Sequence, residues 1–517
     1  MEGNVETLVR ENAQLRHDKI ELLKHVEILR EEVAWYKQKL FGRSSEKLSE
    51  AELAQIRLFD EAEAAVAQRE AEEQLQQIPA HVRRRPVRKP LPASLPRIEV
   101  VIDIPEADKH CGCGHELVRI GEEPSEKLDV IPPQVRVIRT IRPKYACHHC
   151  EGSGDEGRPA VRIAPVPPAI IEKGIATCGL LAYIATAKFC DALPLYRQEK
   201  QFLRYGVELA RQTMADWMIE VATACAPVIE VLEKHLRSGP ILRLDETTVQ
   251  VLGEEGRADT TKSYMWVARG GVPGAEVVMY HYAPSRGAEV ARQMIGDFEG
   301  YLQTDGYEVY DTVCSELLNI VHVGCMAHVR RDFMDAKKSS KKAGSADEAL
   351  AMIDKLYAME RRRTEYEDPK QFAIARKTEV EPVLEKFHAW LLRRQTEVLP
   401  GSLLGQAIDY TIGQWPKLLR YLKHPLLTPD NNACEQSIRP FVCGRKNWLF
   451  SGSPRGANAS ATLYSLIESA KANGLEPYWY LRRLFEALPN VRTPQDLLPI
   501  LPFAPSRPPP VADRDTG

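Results

Sequence analysis

Leucine recurs at every seventh position near the start of the chain, the spacing of a coiled coil. The apolar seam alternates between Val5, Leu8, Asn12, Leu15, Lys19, Leu22, Val26 and Leu29. Polar residues at the a positions of such a seam, here Asn12 and Lys19, fix its register and favour two strands. The pattern predicts a coiled coil over residues 1–45 that joins two copies of the chain. The alternative is an amphipathic helix packed on its own chain.

Three segments of different pattern follow. Residues 46–97 are predicted to form helix and then a Pro-rich stretch. All charged residues between His81 and Ile98 are basic, so this stretch is either a linker or an arm that touches DNA. Residues 98–161 are strand-like, with one strand expected at Gln134–Ile141. Residues 169–239 have apolar positions at helical spacing, and we expect a connecting or DNA-binding region.

From residue 240 the apolar period changes from helical to strand-like. The predicted elements are strands at Ile241–Val251, Tyr264–Ala268 and Glu276–Tyr282, a helix at Ala288–Ile295, and strands at Tyr301–Thr304 and Val321–Val323. This order is that of a ribonuclease H-like α/β domain, predicted over 240–465 with a helical insertion at about 330–422. A helical region at 466–503 and a disordered tail at 504–517 complete a multidomain α+β chain.

The length, composition and net charge of the chain indicate its class of protein but say less about its function. The 517 residues are too many for one ordinary core, and 44% hydrophobic with 27% charged residues is typical of soluble globular protein. No uninterrupted apolar run would span a membrane, and the N-terminus shows no export signal. We therefore expect a soluble, cytoplasmic protein without a membrane partner. The net charge of -3 means that any nucleic-acid contact must come from local basic clusters.

Four of the eleven cysteines stand in two close pairs, Cys111 with Cys113 and Cys147 with Cys150. Without an export signal, this spacing favours a structural Zn²⁺ site over disulfide bonds. The first pair is shorter than the usual C-x-x-C, so His110 or His115 is an alternative ligand. A unit without metal remains the other possibility.

Three acids stand out as candidates for binding catalytic Mg²⁺ or Mn²⁺. Asp245 lies within an apolar strand, Asp305 ends the fourth strand, and Glu435 begins a predicted helix. Carboxylates from separate elements suit the two-ion chemistry of phosphodiester cleavage. Taken singly, each has an ordinary alternative as an ion-pair partner, a turn residue or a surface charge.

The surrounding motifs resemble the insertion-sequence-66 family of bacterial DDE transposases over nearly the whole chain. The resemblance is carried by LFGRSSEKL, CGCGHEL, YACHHC, LRLDETTVQVL, LQTDGY, CMAHVRRDF, NNACEQSIRPFVCGRKNWLFSGSPRGA and SLIESAKANGLEPYWYL, in this order. It implies that Asp245, Asp305 and Glu435 are the catalytic, metal-binding triad. Gln436 departs from the pattern, because many relatives have arginine there.

Residues near the proposed acids have further predicted roles, because cations beside a scissile phosphate stabilise the charge that develops during transfer. Arg439, Arg445 and Lys446 are expected to contact DNA, while Trp448 and Phe450 suit either base stacking or core packing. The insertion lysines Lys337, Lys338, Lys341 and Lys342 suit either DNA or solvent. Cys325 and His328 form a C-x-x-H step, which we interpret either as structural or as a support of the active-site floor, because two ligands do not complete a zinc site.

The implied activity is DNA transposition, in which the protein binds the ends of an insertion element, cleaves them and joins them to target DNA. A homodimer and small accessory proteins encoded beside the gene are the expected partners, and the zinc unit is expected to recognise the element ends. Two alternatives remain: an inactive DNA-binding protein, and a nuclease without strand transfer.

Overall fold

The computed structural model describes residues 133–146, 161–339 and 344–504, with isolated positions before residue 133. These fall into two compact units, and the larger includes residues 167–201 and 208–504. Apart from residues 202–207, which belong to the smaller unit, the segments predicted at 169–239, 240–465 and 466–503 therefore lie in one unit. Most of the predicted coiled coil, the linker before residue 97, all four paired cysteines and the tail after residue 504 lie outside the described residues.

The smaller unit contains a short hairpin. Its strands β1 (Lys144–Ala146) and β2 (Val161–Ile163) pair antiparallel, and Arg142 Nη1 donates to the Ala164 carbonyl at 2.7 Å. The strand predicted at Gln134–Ile141 is wrong, because those residues form no strand. Their apolar side chains are exposed, and an extended segment becomes a strand only when its backbone pairs with a neighbour.

The larger unit begins with four helices and continues as a mixed sheet with helices on its faces. The helices before the sheet are α1 (Cys178–Phe189), α2 (Leu195–Arg204), α3 (Arg211–Ala224) and α4 (Ala226–Leu236). The sheet region contains β3 (Ile241–Val251), β4 (Lys262–Val272), β5 (Ala275–Ala283), α5 (Ala288–Ile295), β6 (Gly300–Gln303), α6 (Glu308–Glu316) and β7 (Ile320–Val323). The predicted strands and helix of this region are confirmed to within four residues at each end, and β3 and α5 have the predicted bounds.

A helical region and a return to the sheet follow. The helices are α7 (Met326–Ser339), α8 (Ser345–Arg361), α9 (Pro369–Glu397) and α10 (Leu403–Leu418), and then come α11 (Asn432–Trp448), β8 (Phe450–Ser451), α12 (Pro454–Ala472) and α13 (Pro477–Ala487). Short 3₁₀ turns occupy Arg362–Glu365, Leu419–Lys423, Leu488–Asn490 and Pro494–Ile500. The predicted boundary after residue 465 falls inside α12.

The strand order is β5-β4-β3-β6-β7. β4 runs antiparallel to β3 and β5, whereas β3, β6 and β7 are parallel, and β8 pairs with the far end of β3. β3 is therefore flanked on both sides, and side chains on it are surrounded by protein. Its burial follows from its apolar sequence, since a central strand is covered on both faces.

Helix α12 covers the open edge of β5. Ser465 accepts a hydrogen bond from Tyr280 N at 2.8 Å, Ser469 bonds both N and O of Val278 at 3.0 Å, and Asn473 donates to Glu276 O at 2.7 Å. Four helical residues advance about 6 Å and two strand residues about 6.8 Å, so the two periods nearly match. Polar side chains at every fourth helical position therefore bond backbone groups of β5 that a further strand would otherwise pair.

Arg376 in α9 ties the insertion to the loop that precedes α11. Its side chain is fully buried, and it donates to the carbonyls of Leu427 at 2.8 Å, Tyr421 at 3.0 Å and His424 at 2.9 Å. Glu360 lies 3.4 Å from the same guanidinium. A buried arginine with several carbonyl acceptors fixes the path of the 3₁₀ turn and the loop that follows it.

We expect Ser469→Ala to lower the free energy of unfolding by about 1–3 kcal/mol, because it leaves the N–H and C=O of Val278 unpaired. The readouts are urea unfolding and faster hydrogen exchange at the Val278 amide. Ser460→Ala is the matched control, since the Ser460 hydroxyl bonds its own helix at Gly456 O. Equal exchange at Val278 in both variants would contradict the covering role.

Arg376→Met is expected to destabilise the larger unit by about 3–5 kcal/mol, because three buried carbonyls lose their donor and Glu360 loses its cation. The exposed neighbour Lys377 is the control, and Lys377→Met should change stability by about 0.5 kcal/mol or less. Urea midpoints of the two variants provide the comparison. Coincident midpoints would show that the buried network adds no stability.

Candidate active site

Asp245 lies on β3, and Asp305 follows the end of the neighbouring parallel strand β6. The register pairs Arg243 of β3 with Gln303 of β6, so each aspartate lies two residues beyond the last paired position. Neighbouring strands are about 4.8 Å apart. Backbone donors hold one oxygen of each acid: Glu246 N donates to Asp245 at 2.8 Å, and Tyr307 N donates to Asp305 at 3.1 Å.

Glu435 reaches the same place from the first turn of α11. Its side chain is buried, with 3% of the residue exposed. The helix is anchored to the sheet by Asn431, whose side chain donates to Leu244 O at 2.9 Å, and by Cys434, whose thiol donates to Val267 O at 3.5 Å. Asn431 is the N-cap residue of α11, but its side chain makes no capping hydrogen bond. Its amide instead bonds β3 beside Asp245, and this contact positions Glu435.

The three acids act on one another electrostatically. Burial raises the pKa of Asp245 well above its usual value, and the nearby charges of Glu435, Glu246 and Asp305 raise it further. Burial also raises the pKa of Glu435 to about 8, with Asp430 and Asp305 adding to the effect and Arg331 opposing it. The structure therefore brings together the three acids predicted from distant parts of the sequence.

The oxygen donors of this acid cluster are of the type that divalent cations bind. Glu435 Oε2 is buried without a hydrogen-bond partner among the described residues. Carboxylate oxygens are the donors that Mg²⁺ prefers, and a cation would remove the repulsion among like charges. Asp245, Asp305 and Glu435 are the residues that could hold such ions.

Glu246 is a fourth acid at the site that the sequence did not single out. It is buried on β3, accepts a hydrogen bond from Arg286 Nε at 2.6 Å and another from the Tyr310 hydroxyl. Arg286 in turn lies 3.7 Å above the ring of Tyr307. Since its charge is already matched within the protein, we interpret Glu246 as structural.

The C-x-x-H step also reaches the site. Cys325 Sγ lies 3.8 Å from Glu435 Oε1, and His328 Nδ1 lies 3.7 Å from the same oxygen. Burial lowers the pKa of His328 to about 4, aided by Arg331, so the ring is neutral near pH 7. The sequence indicated the pair but gave no sign of its contact with Glu435.

The insertion contributes Tyr410, which the sequence did not indicate. A Cβ added at Gly306 would lie 2.9 Å from Cε2 and Cζ of Tyr410 and closer still to its hydroxyl. Burial raises the pKa of the Tyr410 phenol, and the charges of Asp332 and Asp305 add to it. The absence of a side chain at Gly306 therefore allows Tyr410 to approach beside Asp305.

The predicted DNA-contacting residues have different surroundings. Arg445 is 4% exposed and donates to the hydroxyls of Thr247 at 3.4 Å and Thr248 at 3.3 Å, which leaves little of it for DNA. Arg439 and Lys446 are half-buried. Their role in DNA binding remains a prediction.

The aromatic residues and the insertion lysines have the following positions. Lys188 Nζ lies 4.2 Å over the ring of Trp448, whereas Phe450 is 44% exposed in β8. Lys337 pairs with Asp347 at 2.8 Å, and Lys338 lies 3.6 Å from Asp335. Lys341 and Lys342 lie outside the described residues.

Helices among the described residues include none with the length and apolar character to cross a membrane.

Comparison with protein families gives matches along most of the chain. The model described as Transposase IS66 family matches residues 173–459, and the one described as IS66 C-terminal element matches 465–503. The zinc-finger binding domain of transposase IS66 matches 108–151, and Transposase C of IS166 homeodomain matches 28–100. The paired cysteines thus fall within a zinc-finger match.

Similar proteins occur in Sinorhizobium fredii. The uncharacterized protein y4jD is 34% identical, over 92% of this chain and 94% of the relative. The uncharacterized protein y4qI is 36% identical, over 76% of this chain and 73% of the relative. A third, y4hP, is 29% identical over 88% of this chain and 86% of the relative.

Gly306→Ala is expected to destabilise the protein by about 1–3 kcal/mol, because the new methyl group overlaps the Tyr410 ring. Thermal unfolding measures the effect. Gly413→Ala is the control, since it lies in the same helix as Tyr410 with open space around it and should be neutral or stabilising by up to about 1 kcal/mol. In a Tyr410→Ala background, the Gly306→Ala cost should largely disappear. Equal costs in both backgrounds would contradict the contact.

Proposed function

The chain belongs to the IS66 family of transposases, and on that premise we propose that it cleaves the ends of an insertion element and joins them to target DNA. The observation that carries the proposal is the electrostatic coupling of Asp245, Asp305 and Glu435 in one cluster, in which Glu435 is buried and the two aspartates are half-buried. Their separations of 60 residues (305 minus 245) and 130 residues (435 minus 305) place the insertion between the second and third acids.

The sheet supports a ribonuclease H-like assignment for this domain. Three strands in antiparallel succession are followed by two parallel strands, in the order β5-β4-β3-β6-β7. One acid lies in the central strand, one follows its parallel neighbour, and one begins a later helix. We assign residues 240–465 to this domain, with the α7–α10 region as its insertion.

Two divalent ions held by the three acids would supply Lewis acidity and lower the pKa of an attacking water. Hydrogen bonds within the chain hold the three acids in position for such ions. The amides of Glu246 and Tyr307 fix the two aspartates, and the Asn431 contact to β3 fixes the helix of Glu435. The charge of Arg331 lowers the pKa of Glu435, and its guanidinium suits a DNA phosphate oxygen beside the cluster.

A homodimer and a zinc unit complete the proposal. Leu22, Val26 and Leu29 are helical and 65%, 40% and 57% exposed, so an apolar stripe at heptad spacing is uncovered in the single chain. A second copy is the partner that such a stripe fits. Zn²⁺ at Cys111, Cys113, Cys147 and Cys150 is proposed to support recognition of the element ends.

The test incubates the full-length protein with Mg²⁺ and labelled duplex DNA that carries the inverted repeats flanking the gene. Joined product supports the transposase. Nicked DNA without joined product would indicate a nuclease, and a shifted but intact duplex would indicate a DNA-binding protein only. Either of these two outcomes overturns strand transfer as the activity.

Asp245→Asn is expected to lower cleavage by roughly 10³-fold, equivalent to about 4 kcal/mol of transition-state stabilisation. In chelator, the same variant should unfold at a higher temperature than the wild type, because it removes one of several mutually repelling buried charges. Mg²⁺ should raise the wild-type melting temperature more than that of the variant.

The matched control is Asp297→Asn, because the Asp297 side chain is 92% exposed and remote from the cluster in its contacts. Its cleavage rate and its response to Mg²⁺ should equal those of the wild type. An Asp245→Asn protein that retains full activity would remove this aspartate from the mechanism.

A further inference from the structure

Cys325, His328 and Glu435 form a donor cluster that the proposed two-ion chemistry does not use as a set. One ligand atom from each residue lies within 4.8 Å of the other two. Cys325 precedes α7, His328 lies in its first turn, and Glu435 comes from α11. The C-x-x-H step thus gains a third donor from 107 residues further along the chain (435 minus 328).

Hydrogen bonds alone do not explain well why these three side chains lie together. The 3.7 Å between His328 Nδ1 and Glu435 Oε1 exceeds the usual hydrogen-bond distance, and Cys325 Sγ stands 3.8 Å from the same oxygen. His328 Nδ1 and Glu435 Oε2 are both buried without a hydrogen-bond partner among the described residues. Buried polar atoms of this kind are costly unless something binds them.

The spacing is close to that of ligands around a tetrahedral ion. Bond lengths of about 2.3 Å to sulfur and about 2.0 Å to nitrogen and oxygen separate the ligand atoms by about 3.3–3.6 Å. The separations of Glu435 Oε1 from Cys325 Sγ and His328 Nδ1 are only a few tenths of an ångström longer, and all three donors lie within 4.8 Å of one another, so small side-chain adjustments would close the site. Asn431 N donates to Cys325 Sγ at 3.3 Å, a contact that favours a thiolate ligand.

The donor types decide between ions. A thiolate and an imidazole select zinc-like ions, whereas Mg²⁺ takes oxygen donors almost exclusively. We propose that Cys325, His328 and Glu435 bind a thiophilic divalent ion of the zinc class, at a site separate from the paired cysteines near residues 111–150. Three protein ligands leave a fourth position for water.

A regulatory consequence rests on the proposed function. Glu435 belongs to both sets of donors, so an ion held by Cys325 and His328 draws its carboxylate away from Asp245 and Asp305. Zinc-class ions therefore inhibit the Mg²⁺-dependent reaction by competing for one shared side chain. The cell's free zinc level would then set the fraction of active protein.

The binding test counts metal on the full-length protein. Wild type, Cys325→Ser and Cys443→Ser are stripped with chelator, loaded with Zn²⁺ in Mg²⁺-free buffer, and analysed by elemental mass spectrometry. Cys443 is an exposed cysteine of α11, so its variant is the matched control. We expect Cys325→Ser to bind one equivalent fewer than wild type and control. Equal stoichiometry in all three overturns the site.

A second variant guards against misfolding. His328→Gln should lose the same equivalent, and circular dichroism in chelator shows whether each variant is folded. Co²⁺ gives an independent signature, because thiolate ligation produces near-ultraviolet charge-transfer absorption that Cys325→Ser should reduce and Cys443→Ser should not. Folded variants with unchanged Co²⁺ spectra would contradict ligation by Cys325.

The regulatory step has its own readout. Zn²⁺ titrated into the Mg²⁺-dependent cleavage assay should inhibit the wild type at a concentration at least tenfold lower than Cys325→Ser, each normalised to its zinc-free rate. Equal inhibition of both would overturn the competition for Glu435. If the protein cleaves no DNA at all, the proposed function fails while the metal count still decides the site.

Discussion

Repulsion among neighbouring carboxylates is the constraint on which the larger unit depends. Two unit charges 4 Å apart repel by about 4 kcal/mol at the effective dielectric of a protein surface, and such repulsion adds to burial in raising the pKa of Asp245 and of Glu435. The three acids are far apart in the sequence, so noncovalent contacts hold them together. Strand pairing between β3 and β6 fixes the aspartates, and the Asn431 contact to Leu244 fixes the helix of the glutamate.

The helical insertion also helps to position the three acids, although it lies far from them in sequence. Arg376 bonds the carbonyls of the loop that leads to Asn431, so the position of Glu435 depends on a residue in α9. Tyr410 of α10 packs against Gly306, immediately after Asp305. The helical region is therefore part of the site's support as well as an addition to the fold.

Sequence pattern predicted the elements from β3 to β7 because each is a long or apolar run with clear limits, and family motifs indicated the three acids. It could not predict Tyr410 beside Gly306, the burial of Arg445 or the contact of His328 with Glu435, because these depend on side chains that are distant in the chain. The strand expected at Gln134–Ile141 was wrong for a related reason. Alternating apolar residues do not supply a pairing partner.

The cover over β5 limits how copies of this protein can assemble. An uncovered edge offers a row of N–H and C=O groups onto which another chain can add a strand, the usual route to sheet-mediated aggregation. Ser465, Ser469 and Asn473 already bond four groups of that row: Tyr280 N, Val278 N and O, and Glu276 O. Copies held at high local concentration can therefore lie close together without adding strands to one another at the middle of this edge.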